Sequence, residues 1–420
     1  MDRLFKALLS FKEVKIRTDD DFADRLSRRY TTILLVFFTC VISTQQLVGK
    51  PISCWCPAHF TASHRDYANT ICWVSNNYYQ PITKNIPRPA EQARIKRVSY
   101  YQWVPLVLLF QAAVYFIPCL LWRFLNKRAG IDVGAMMDAA KVCQRSSHTD
   151  MREKTLRYIV NQMDRYLLKQ RDLRTGCCVR MKHALANYCC FVGGRFYGNY
   201  LTFSYLVVKF VYLFNAIGQL FLLDFFLGIN YHWYGIFVLN KLIQGEDWTV
   251  SERFPRVTLC DFKIRSNNRL HEYIIQCVLT VNLFNEKIFI FIWFWFVFVS
   301  IATSFNFARW VMRALYWSSQ IRYVKKQLRS FETTKRQTAA LTKFTQFYLR
   351  RDGMFIIRLI SQNVDDLVAA EAMLGLWENY TPERRMLAEK AGRAPKIPTA
   401  PSERTATATR HDTTRRKEVV

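Results

Sequence analysis

Hydrophobic positions along this chain gather into four runs, residues 31–49, 98–122, 196–223 and 288–308, in which Lys209 is the sole charge. Each run approaches or exceeds the roughly 20 residues that an α-helix needs to cross a hydrocarbon core of ~30 Å. The last, IFIFIWFWFVFVSIATSFNFA, is apolar on every face over its first half, which suits a helix whose sides meet lipid. For a single run, above all 31–49, a buried core helix is the alternative reading. Four runs parted by basic, polar segments predict transmembrane helices instead.

The second run contains Pro105 and Pro118. Inside a soluble helix a proline costs about 3 kcal/mol. In a membrane bundle, neighbouring helices re-satisfy the freed carbonyls, and each proline can bend its helix. Tyr100, Tyr101 and Trp103 stand at the start of this run, where an aromatic belt anchors a helix at the interface. Elsewhere MREKTLRYIVNQMDRYLLKQ and MFIIRLISQNVDDLVAAEAMLGLW show helical periodicity. From about residue 381 the chain turns to Thr, Ala, Pro and Arg and reads as a disordered tail, solvated or engaging a PDZ domain by strand addition.

Composition fits this picture. The 420 residues are 51% hydrophobic with a net charge of +28. The mean hydropathy of −0.04 is near zero because basic segments offset the apolar runs. Lys and Arg near the run ends favour cytoplasmic termini and a cytoplasmic middle loop, against which only the basic cluster at 84–97 dissents. The sequon at Asn379 then lies in the cytoplasm, unmodified. No short apolar core with a small-residue cleavage site precedes residue 31, so the first helix is expected to act as an uncleaved signal anchor. The segments are 1–30, a cytoplasmic N-terminal arm; helices 31–49, 98–122, 201–227 and 288–308; outer loops 50–97 and 228–287; the cytoplasmic loop 123–200; the cytoplasmic helical region 309–380; and the tail 381–420.

That topology sorts the cysteines. Cys54, Cys56 and Cys72 fall in the first outer loop and Cys260 and Cys277 in the second, which makes them disulfide candidates with several connectivities open. Cys143, Cys177, Cys178, Cys189 and Cys190 are expected to be reduced thiols. The cysteine spacings do not match zinc motifs, so no metal is expected, and no cofactor either. Seven scattered histidines and the lack of hydrolase, metalloprotease or P-loop motifs argue against an enzyme. Basic residues spread over several segments, without a recognition module, argue for contact with anionic inner-leaflet lipid rather than nucleic acid. No internal repeat suggests a secondary transporter.

YYQWVP at 100–105 closely resembles the signature of the innexins, the invertebrate gap-junction subunits. DRLSRRYTTILL, GKPISCWCPAHF, FPRVTLCDFKIR and QCVLTVNLFNEKIFIFIWFW follow the family's order, and the resemblance covers about residues 20–380. Tyr100, Tyr101, Gln102, Trp103, Pro105 and Pro118 carry the signature and the second-helix kink. The resemblance implies a mainly α integral membrane protein: four transmembrane helices, disulfide-linked extracellular loops with some β structure, and a helical cytoplasmic dome. It implies a plasma-membrane gap junction built of homo-oligomeric rings, octameric where known, each docked to a second ring on the apposed cell. Other innexins and membrane lipids are the further partners. The alternatives are an undocked ring, as in the related pannexins, and a subunit that works only beside other innexins.

The same resemblance pairs Cys54 with Cys277 and Cys72 with Cys260; Cys56 departs from the family pattern and makes the first pairing less secure. It also lines the pore with the first helix, the N-terminal segment and the start of the first loop. The candidates here are Met1, Asp2, Arg3, Thr39, Ser43, Gln46 and Lys50, because a wide pore needs polar lining. Hydrogen bonds between packed helices are the competing use of such Ser and Thr residues. The arm MDRLFKALLSF either lies on the inner leaflet or, as in innexins, folds into the vestibule. Lys209 either snorkels, pairs within the bundle, or takes part in gating.

Overall fold

The computed structural model describes residues 20–75, 77–80, 97–169, 198–228, 230–245, 254–266, 268–329 and 338–380. In chain order it begins with α1 (Phe22–Leu47), β1 (Ser53–Cys54), α2 (Ala62–Val74), β2 (Asn77–Tyr78), β3 (Arg97–Val98), α3 (Val104–Ala129), α4 (Val133–Arg145) and α5 (Thr149–Lys169). There follow α6 (Tyr200–Leu227), α7 (Tyr234–Ile243), β4 (Val257–Ser266), β5 (Arg269–Val278), α8 (Thr280–Leu315), α9 (Trp317–Arg329), α10 (Thr338–Lys343), α11 (Arg350–Asn363) and α12 (Asp366–Tyr380). Helices α1, α3, α6 and α8 are long and apolar enough to cross a membrane. The fold is a four-helix membrane bundle with a small antiparallel sheet at one end and a helical dome at the other.

Helix ends do not follow the charges. α1 starts at Phe22, ahead of the uncharged run, because the Asp24 and Arg28 charges of its first turns are matched, as described below, while Arg25 and Arg29 are exposed. A π-turn at Leu26–Tyr30 lies in its path, and the Thr31 hydroxyl bonds the Leu26 carbonyl at 3.0 Å beside the Thr31 backbone N–H. α8 has 36 residues, about 54 Å at 1.5 Å per residue, so it outreaches the hydrocarbon at both ends.

Pro105 sits in the first turn of α3, where its missing N–H costs nothing, whereas Pro118 is interior and buried. The carbonyl that Pro118 leaves without its usual donor is that of Val114, and the Asn215 amide of α6 donates to it at 3.3 Å. Asn215 is itself held by the Gln219 amide at 3.0 Å. α3 stops at Gly130, whose φ of 83° closes the helix in the left-handed region.

At one end the sheet runs in the order β1-β5-β4-β2-β3, all antiparallel. Along β4 and β5, Cys260, Phe262, Ile275 and Cys277 alternate inward and are buried. They join one apolar core with Tyr101, Tyr115, Tyr231, Phe254 and Phe289. A second core lies at the other end, where Phe355 of α11 meets Trp122, Tyr205 and Trp310 of three spanning helices at ring-centroid distances of 6.4, 4.8 and 5.6 Å. The periodic stretch 354–377 forms two helices, parted at Val364 (φ −120°, ψ −84°), with the Asp365 carboxylate accepting from the Leu367 N–H at 3.3 Å.

Candidate functional site

The loop between α1 and α3 and the loop between α6 and α8 fold into a single cap. β1 of the first pairs with β5 of the second, setting Cys54 opposite Cys277, and a disulfide joins the two. A second disulfide links Cys72 on α2 to Cys260 on β4, both fully buried. These are the pairings that the resemblance implies. The sulfurs of Cys54, Cys72 and Cys277 lie within 4.8 Å of one another. Their closeness comes from two adjoining bridges, since a disulfide sulfur is not the thiolate a metal needs. Cys56 stays outside both bridges, its Sγ donating to the Cys54 carbonyl at 3.8 Å. Burial pushes its thiol up in pKa, against the pull of Arg65.

Polar bonds knit the cap further. Tyr78 on β2 donates to Asp261 on β4 at 3.0 Å, and burial followed by this hydrogen bond pushes its phenol up in pKa. The YYQWVP stretch is the hinge between cap and bundle. Tyr101 is fully buried; its hydroxyl accepts from the Asn77 amide and donates to the Trp73 carbonyl, both at 3.3 Å. Gln102 donates to that same carbonyl. Tyr100 packs edge-on to Phe254 at 5.8 Å. Among these three aromatic residues Trp103 alone, 57% exposed, faces outward as an interfacial anchor would. The expectation of an aromatic belt from Tyr100 and Tyr101 is corrected: both turn into the cap.

Helix α1 is the least covered of the four. Of its most apolar stretch 22% is buried, against 39% in each of the other three. Ile33, Phe37, Cys40, Thr44 and Leu47 form its exposed stripe. Thr39 does not belong to that stripe. It is buried, with its hydroxyl on the Leu35 carbonyl at 2.8 Å, which removes it from the candidate pore lining. Ser43 is half-buried and Lys50 exposed, while the Gln46 amide donates to the Tyr101 carbonyl at 2.9 Å. Met1, Asp2 and Arg3 lie outside the described residues, as do Cys177, Cys178, Cys189 and Cys190.

At the dome end, α1 is held by charge. Lys209 of α6 is 1% exposed and reaches Asp21 at 3.0 Å and Asp24 at 2.7 Å. The Trp310 indole of α8 donates to the Asp21 carboxylate, so three spanning helices meet at one knot. Arg28 closes on Asp20 at 2.6 Å beside it. Lys209 therefore pairs within the bundle rather than snorkelling. A second carboxylate, Asp352 of α11, caps α6: it accepts from the N–H of Leu201 at 3.2 Å and of Thr202 at 3.0 Å, and from the Thr202 hydroxyl at 3.0 Å. That placement satisfies orphan donors and meets the positive end of the helix dipole. Gly198 lies against the Arg350 side chain, which a Cβ would strike at 2.4 Å, and its φ of 71° also calls for glycine. In the dome, burial pushes the Cys143 thiol up, opposed by Arg152.

Sequence reasoning passed over Asp21, Asp24, Asp352 and Cys40. Asp21 and Asp24 had one signal, a lone intramembrane lysine in want of partners; Asp352 and Cys40 had none beyond their places in the chain.

Comparison with known proteins adds a consistent result. The innexin family model matches residues 20–380. The chain is 35% identical to innexin unc-9 of Caenorhabditis elegans over 371 residues, which is 88% of this chain and 94% of the relative. It is 34% identical to innexin-3 of the same organism over 367 residues, covering 87% and 85%. Against innexin-11 of that organism it is 31% identical over 380 residues, covering 88% and 80%.

Proposed function

Since the chain belongs to the innexin family, we propose that it is a subunit of a gap-junction channel, passing ions and small molecules between the cytoplasms of adjoining cells. One observation carries this reading: two loops from opposite halves of the chain are locked by paired disulfides into a single rigid cap on a four-helix membrane bundle. A cap of fixed shape is what a docking surface requires. In this reading the cap is extracellular, since disulfides persist in oxidising surroundings, and the dome and both termini are cytoplasmic.

Copies of the chain assemble into a ring, eight in number if it follows the innexins of known ring size, at junctions between plasma membranes. The poorly covered surface of α1 supports its turning toward neighbouring subunits and the lumen. Ser43, Thr44 and Lys50 then border the aqueous path, and Met1, Asp2 and Arg3 narrow it at the vestibule, where a ring of charge sets ion preference. No catalytic step and no cofactor enter this function.

The test is junctional conductance between two apposed cells that both express this chain alone, after surface delivery is confirmed. Conductance well above that of control pairs is expected. Its absence, with current through unpaired membranes, would reassign the ring to undocked release; absence of both, restored by a second innexin, would make it an obligate mixed subunit.

A further inference from the structure

The last turns of α8 and the elbow at Tyr316 (φ −81°, ψ 96°) that leads into α9 enclose a cleft of about 570 Å³. Arg309, Arg313 and Arg322 line it together with Phe305, Ala308 and Met312. Cations at a helix C-terminus are favoured by the dipole, and that accounts for one or two of them. It does not account for a third arginine from α9, or for a fourth close by. Arg358 of α11 is 8% exposed and donates to the Ser319 carbonyl of α9 at 3.4 Å, while its Nε is a buried donor without a hydrogen-bond partner. Burial, and next the charge of Arg313, pulls the Arg358 guanidinium down to a pKa of about 10.

Among the described residues no ion pair joins Arg309, Arg313, Arg322 or Arg358 to a carboxylate. The carboxylate that does act on Arg313 from a distance, Asp21, is already shared by Lys209 and Trp310. Gln362 offers Arg313 only a neutral amide oxygen.

Apolar surface leads into the same cleft. Phe294, Phe298, Ile301, Phe305, Ala308 and Met312 are all exposed and fall at alternating steps of four and three along α8. That spacing makes them one continuous stripe down the helix, ending among the arginines. A free phosphate would use the arginines and leave the stripe bare. A lipid uses both.

We propose that this cleft binds the headgroup of an anionic phospholipid carrying phosphomonoester groups on its inositol ring, a phosphoinositide, with an acyl chain along the α8 stripe. Three or four guanidiniums exceed what one phosphodiester charge balances, whereas each phosphomonoester brings about −1.5 to −2 and three acceptor oxygens. The proposal rests on α8 crossing the membrane and is independent of whether rings dock.

The purified full-length chain in neutral detergent is titrated with dioctanoyl phosphatidylinositol 4,5-bisphosphate, with dioctanoyl phosphatidylcholine and inositol 1,4,5-trisphosphate as companions. Saturable binding of the first is expected, with the other two at least about tenfold weaker. The exposed pair Arg309→Gln and Arg322→Gln should weaken it about tenfold or more, whereas Arg309→Lys with Arg322→Lys, which keeps the charge and guards against a folding defect, should retain most of it. Equal binding of the trisphosphate would overturn the lipid assignment in favour of a soluble phosphate. Unchanged lipid binding by the glutamine pair would remove the site altogether. A glutamine pair that breaks the ring, when the parent chain binds no lipid, would make the cleft a contact between copies.

Discussion

The two ends of the helix bundle are tied by different chemistry. At the cap, loops from the two halves of the chain are joined by Cys54–Cys277 and Cys72–Cys260 and by an antiparallel sheet. At the dome, the same halves are joined by non-covalent contacts: Lys209 with Asp21 and Asp24, and Arg152 of α5 with Glu371 of α12 at 2.6 Å, while Asp352 on the first turn of α6 ties the second half to itself. Covalent bonds hold one shape for as long as the surroundings stay oxidising. Hydrogen-bonded charges hold a shape within a few kcal/mol of alternatives, so the dome end is where the bundle can be reset. The difference separates a surface that must always look the same from one that can respond.

The largest blow to this contrast should come from Lys209→Met. It leaves Asp21 and Asp24 buried without their cation, and a loss of about 3–5 kcal/mol is expected in the thermal unfolding of the purified chain. Adding Asp21→Asn and Asp24→Asn should recover much of it. No recovery would mean that Lys209 acts through packing rather than charge.

Cys72→Ser comes next, with about 2–5 kcal/mol lost under non-reducing conditions and junctional current abolished. Reductant applied to the cap side of the parent channel should mimic it. A current that survives both would dissolve the distinction between the ends. Asp352→Asn should cost about 1–2 kcal/mol and loosen the start of α6, seen as faster amide exchange at Leu201 and Thr202.

A charged thiol reagent sharpens the picture for α1. If its exposed stripe faces water, Cys40 reacts and current falls; a stripe set against lipid or protein leaves Cys40 inert. Smallest of all is Cys56→Ser, with under about 0.5 kcal/mol expected because the thiol makes one long hydrogen bond and joins no bridge. A large effect there would show that Cys56 competes with Cys54 during folding.

Much of this is legible in the sequence alone. Four apolar runs of membrane length, charged only at Lys209, mark the spans because lipid tolerates little else. Pro118 announces a carbonyl in need of a donor, though not that Asn215 would be the donor. The dome knot was hidden for a physical reason: Asp21 and Lys209 are 188 residues apart, and charge placement along the chain does not say which helices touch. Tyr101 and Thr39 misled for a related reason. Periodicity and polarity assign a residue to a helix, but which face turns inward depends on packing against partners far along the chain.

The two bridges are nested, spanning 223 and 188 residues, and both cross from the first helix hairpin to the second. A single proteolytic cut anywhere between Cys72 and Cys260 therefore leaves no loose fragment. The nicked protein migrates as one species on a non-reducing gel and as two once thiols are added, so the subunit is, in effect, a pre-stapled heterodimer of hairpins awaiting only a break in its backbone.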